Sequence, residues 1–140
     1  MKVNFNIKKY FKVLLFLVGL HSFLVGILMI ILPTSSMSFF GYTDFSEKFF
    51  QSQAGVFHIV MFIAYLLILF DIKKYEGIIY LVILSKLIAV IFLFSYFLFV
   101  DKIWMVLFSG VADLAMGAIM LLFFIIYKNE IETKKINNVN

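Results

Sequence analysis

Residues 77–100 read GIIYLVILSKLIAVIFLFSYFLFV, an unbroken apolar run in which Lys86 is the one charge. As a helix rising 1.5 Å per residue it reaches about 36 Å, more than the roughly 30 Å of hydrocarbon in a bilayer. The run is read as a transmembrane helix. Three other stretches read the same way: 13–32, which stops at Pro33; 53–70, which ends at Asp71; and 103–127, which ends at Lys128. The connection 71–76 is short, and between the third and fourth stretches only Asp101 and Lys102 are free to turn. Neighbours joined so tightly run antiparallel. The expected fold is all-α: a polytopic membrane protein, one antiparallel four-helix transmembrane bundle filling a single membrane domain, 1–140.

Composition agrees. The chain is 64% hydrophobic and 14% charged, against about 45–50% and about 25% in an ordinary soluble domain. A 140-residue chain in water could not hide that much apolar surface, because small domains bury only part of what they expose. Cysteine is absent, which removes thiolate catalysis, disulfide exchange and Cys-based zinc or iron–sulfur sites. All twelve basic residues are lysine, so no guanidinium fork exists to clamp a phosphate or carboxylate.

The lysines lie at helix ends and read as topology signals, not as a nucleic-acid surface. Lys2, Lys8, Lys9, Lys12, Lys73, Lys74, Lys128, Lys134 and Lys135 fall on one side, and Lys48 and Lys102 on the other. The bias places both termini in the cytoplasm and the chain in the cytoplasmic membrane. The first apolar run is too long for a signal-peptide core and no Ala-x-Ala site follows, so it is read as retained. The tail from Asn129 is polar and charged and is expected to fray. No internal repeat is visible.

The long loop, 33–52, carries Phe39, Phe40, Tyr42, Phe45, Phe49 and Phe50. An aromatic belt at the interface is one reading, and a lid over a site between the helices is the other. Asp44 followed by Glu47 resembles a helix start, so the second helix is expected to begin near Asp44.

Each span carries one costly residue: His21, His58, Lys86 and Asp113. A lysine or aspartate at a helix centre costs about 2.5–3.5 kcal/mol on insertion scales, so such residues turn into the bundle or a wet cavity. Counted along the helices, His21, Lys86 and Asp113 come within one layer, roughly 12, 13 and 15 Å from the cytoplasmic boundary, and His58 lies higher at roughly 21 Å. Ser109, Gly110, Met116 and Gly117 share the face of Asp113, so that face packs on another helix. Gln51 and Gln53 sit at the outer mouth of the second span.

Two accounts stay open. Lys86 and Asp113 form a structural ion pair between adjacent helices; or Lys86, Asp113, His58, Gln53 and His21 line a polar cavity that binds a ligand. Side chains lean toward their helix N-terminus, so lysine's stem or a bridging water has to close the distance between Lys86 and Asp113. The histidines are too far apart in depth to share a haem, and no His-x-x-x-His or Glu-x-x-His pair builds a metal site. No metal or cofactor is expected.

The layout resembles the small four-helix membrane proteins grouped as DoxX-like and BphX-like. The resemblance runs through the first helix from Gly19 to Gly26 ending at Pro33, the loop dipeptide Phe40-Gly41, the stretch QAGVFH at 53–58, Lys86 and Asp113. It implies a four-helix fold and a membrane location, and some members of those families belong to redox or catabolic pathways.

Three function classes follow. The first is a non-enzymatic membrane protein that binds a small ligand, membrane lipid or a partner membrane protein (a second copy included) through the polar cluster. The second is a proton-coupled transporter or channel. The third is an enzyme acting on a lipid or quinone through Lys86, Asp113 and His58. The reading leans to the first, away from catalysis.

Overall fold

The computed structural model describes residues 6–43 and 46–137. Four long helices carry the chain: α1 (Ile7–Ile31), α2 (Lys48–Phe70), α3 (Glu76–Phe99) and α4 (Trp104–Asn137), with a 3-10 helix at Thr34–Phe40. Among the described residues there is no strand. All four long helices are apolar and long enough to cross a bilayer, so the expected all-helical bundle is what the chain forms.

The boundaries moved for local reasons. α1 starts six residues earlier than expected because the Asn6 side chain accepts from the Lys9 backbone N–H at 3.1 Å and caps the helix. α2 begins at Lys48, with Glu47 preceding it, not near 53. Asp44, the expected start, lies outside the described residues. The early start of α2 has a purpose. Lys48 Nζ donates to the Ile30 carbonyl at 2.9 Å and the Leu32 carbonyl at 2.5 Å, and Gln51 Nε2 donates to Leu32 O at 2.9 Å. Pro33 ends α1 and leaves these carbonyls without helical partners, and a cation at a helix C-terminus also answers the helix dipole. Lys48→Met is expected to cost about 1 kcal/mol, read as a lower thermal midpoint, whereas Lys102→Met at the other loop-end turn leaves the midpoint unchanged.

α4 continues as helix to Asn137, well into the stretch expected to fray, whose last residues, 138–140, lie outside those described. Lys128 Nζ donates to Glu76 Oε1 at 2.8 Å and to the Tyr80 hydroxyl at 3.1 Å, and the Thr133 hydroxyl bonds back to Asn129 O. Between α2 and α3, Asp71 Oδ1 accepts from the backbone N–H groups of Lys73 and Lys74. These bonds, that of Lys74 first, hold its carboxyl below the usual carboxylate range.

The helices pair into two hairpins. α1 packs closely on α2, and α3 on α4, while contacts between α2 and α3 are sparse. Within the first hairpin Gly26 and Gly55 face each other backbone to backbone: a Cβ built at Gly55 would stand 2.7 Å from Gly26 O. Small residues let helices approach this closely in lipid.

The apolar core is confined to one half of the bundle. Phe11, Leu15, Ile68, Ile79, Val82 and Met120 are all fully buried there, at the end where the termini lie. The opposite end is crossed by the loop. Met37 and Ile103 are buried, and Gly41 lies so close to the Trp104 indole that a Cβ would meet it at 2.9 Å. Gly41 is also the one residue at positive φ, 92°, among those described; its N–H closes the 3-10 helix on the Met37 and Ser38 carbonyls. Glycine is required there on both counts.

Candidate functional site

Where the core stops, the polar residues begin. Lys86 lies on the buried stripe of α3 with Ile79, Val82 and Val90. Asp113 lies on α4 between Gly110 and Gly117, and both glycines pack against α3: Gly110 on Leu93 and Phe94, Gly117 on the Lys86 stem. The face expected to meet another helix does so. Lys86 Nζ contacts Asp113 Oδ1 directly as an ion pair.

Gly117 is what makes that contact geometrically available. A Cβ at Gly117 would lie 3.2 Å from Lys86 Cβ, so lysine leaves α3 level with Gly117, one helical turn from Asp113. That turn is about 6 Å along the axis. The lysine stem covers it by lying along the bare backbone of α4, and no bridging water is needed. Side-chain exposure is 9% for Lys86 and 19% for Asp113. The residual exposure of the aspartate leaves its second oxygen reachable.

α2 supplies the opposite wall. Gln51, His58 and Tyr65 recur every seven residues, which on a packed helix is one stripe. Gln51 is 1% exposed and holds the end of α1, with its Oε1 buried and unpartnered. Tyr65 is fully buried, its ring stem against Gly19, and among the described residues its hydroxyl has no partner. It lies within electrostatic reach of Asp113. His58 sits between them, half-buried although it is on the inward stripe. It is within electrostatic reach of Lys86, Asp113 and His21.

The sequence candidates therefore divide. Lys86 and Asp113 come together, and His58 lies within electrostatic reach of both. His21 is exposed on α1 but stays within electrostatic reach of the pair, while its neighbour Ser22 is buried beside it. Gln53 is exposed on α2 and, among the described residues, makes no hydrogen bond; Gln51 is the inward glutamine. Tyr65 was not among the candidates. Its signal was the seven-residue step from His58.

Among the described residues no three His, Asp or Glu side chains gather as a metal site. An open depression lined by Asn6, Lys8, Lys9, Lys12, Val13 and Phe16 lies on α1 near its start and contains none of the cluster. Chemically, the cluster offers a salt-bridged carboxylate with a spare oxygen, a tyrosine hydroxyl with unused capacity and an imidazole. No family model, curated protein or solved structure matches the chain.

Proposed function

We propose that this protein binds a small membrane-dissolved ligand through the cluster of Tyr65, His58, Lys86 and Asp113, without transforming it. The observation that carries this reading is the Tyr65 hydroxyl, fully buried, without a partner among the described residues, and within electrostatic reach of Asp113. A hydroxyl enclosed without a partner costs about 1–3 kcal/mol, and in hydrocarbon no water is at hand to relieve it. A ligand oxygen relieves it. The lysine bias at helix ends supports a chain in the cytoplasmic membrane with both termini inside. The resemblance to DoxX-like and BphX-like proteins belongs to the same proposal and rests on the residues quoted for it.

The test is native mass spectrometry of the protein released from its own membrane in mild detergent. Wild type carries a bound amphiphile. Tyr65→Phe keeps the ring on Gly19 and loses one hydrogen bond, so occupancy falls about tenfold with the thermal midpoint little changed. A wild-type protein with no bound species, or a Tyr65→Phe variant that carries the same load, rules the reading out.

A further inference from the structure

We infer that the ligand is an electrically neutral, single-chain amphiphile that reaches the cluster sideways from the bilayer, between α2 and α3. The inference rests on the ligand-binding reading above and narrows it.

Charge sets the head group. Lys86 and Asp113 already neutralise each other by direct contact. A charged head would arrive in the hydrocarbon layer with no counter-ion left for it. On insertion scales that is worth about a hundredfold in affinity. The groups left over are neutral-seeking: the Tyr65 O–H donates, and the free oxygen of Asp113 accepts. A hydroxyl-bearing head satisfies both at once.

The walls set the route. The termini end is shut by Leu15, Ile68, Ile79, Val82 and Met120, all fully buried. The loop end is crossed by the 3-10 segment, with Gly41 seated on Trp104. On the flanks, α1 meets α2 at Gly26 and Gly55, and α3 meets α4 at Lys86 and Gly117. Two flanks remain: α1 meets α4 through Phe11 on Phe124 and Tyr127, and α2 against α3 is the sparser of the two. His58 on α2 is half-exposed, and α3 beyond Val90 buries no residue. An acyl chain lying in that slot extends the bilayer into the bundle without exposing any backbone polar group.

Three diazirine-tailed probes of equal chain length test this in phosphatidylcholine nanodiscs: a monoacylglycerol, an alkyl sulfonate and an alkyl trimethylammonium. On irradiation the glycerol probe is expected to label the peptides holding His58 and Asp113. That labelling is lost in Tyr65→Phe and in the double variant Lys86→Met/Asp113→Leu. The charged probes label only outward residues such as Leu84 and Phe92. A charged probe at His58 or Asp113 in place of the neutral one overturns the inference and leaves ligand binding standing. Labelling of these two peptides by a water-soluble diazirine alcohol, but not by the tailed probe, overturns the lateral route. No probe at the cluster removes both the inference and the reading it rests on.

Discussion

Lys86→Met is expected to destabilise the bundle by about 3–5 kcal/mol, the usual cost of leaving one member of a buried ion pair alone. The figure follows from where the charges sit. Lys86 is 8% exposed overall, and Asp113 lies on the packed face between Gly110 and Gly117. Without the ammonium, the carboxylate faces hydrocarbon and helices. Methionine fills the lysine path along Gly117, so the loss is of charge and not of volume. Asp113→Leu leaves Lys86 unpaired and is expected to cost a similar amount. The double variant Lys86→Met/Asp113→Leu should return close to wild type, because a buried pair replaced by apolar residues of similar size is often neutral or better. Denaturant unfolding of all four proteins in one detergent reads the cycle. Additive single-variant costs in the double would show that the two residues do not act as a pair.

The same cycle separates stability from binding. Ligand held by the double variant as by wild type would reduce the pair to a fold element. Ligand lost from a double variant of normal stability makes it part of the site. Only the second result agrees with the unused hydroxyl of Tyr65.

The helices were legible because lipid asks so little of a sequence. Length and apolarity alone place a transmembrane helix, and the four spans stand out on both counts. The intramembrane charges were equally legible, since nothing but an inward partner makes Lys86 or Asp113 tolerable in a span. Helix ends were not, because they depend on tertiary partners: α2 starts at Lys48 only in the presence of the open carbonyls at the end of α1. The lysine that reads as an outer topology signal is thus also a helix cap. Gln53 is the glutamine expected in the cluster, but the register of α2 against α1 turns Gln51, two residues before it, inward instead. Tyr65 escaped because tyrosine in a span costs little, and what singles it out is the absence of any partner for its hydroxyl, which only packing shows. Glycine at 26, 55 and 117 is visible in the sequence, but which helix each one meets is not.

Those glycines make the second large prediction. Gly55→Ala is expected to cost about 1–3 kcal/mol, the range for an extra methyl in a packed interior. The new Cβ would stand 2.7 Å from Gly26 O and 2.8 Å from Ile30 Cγ1. The isoleucine side chain has room to yield by changing rotamer, but a helical carbonyl does not, so α1 and α2 must separate. Gly26→Ala meets the mirror obstacle, Gly55 O at 2.9 Å, and is expected to cost a similar amount. The two costs are not additive: once the helices stand apart for one methyl, the second finds space, so the double variant falls short of the sum. Gly77→Ala is the control. Nothing lies within 4 Å of a Cβ there, and in the first turn of α3 alanine is expected to add about 0.5–1 kcal/mol of stability. Displacing α2 from α1 also drives its inward stripe toward α3 and narrows the slot beside His58. Gly55→Ala should therefore lose ligand as well as stability, while Gly77→Ala keeps both. A Gly55→Ala protein as stable as wild type would mean that α1 and α2 do not touch at these two residues, and the two-hairpin packing would go with it.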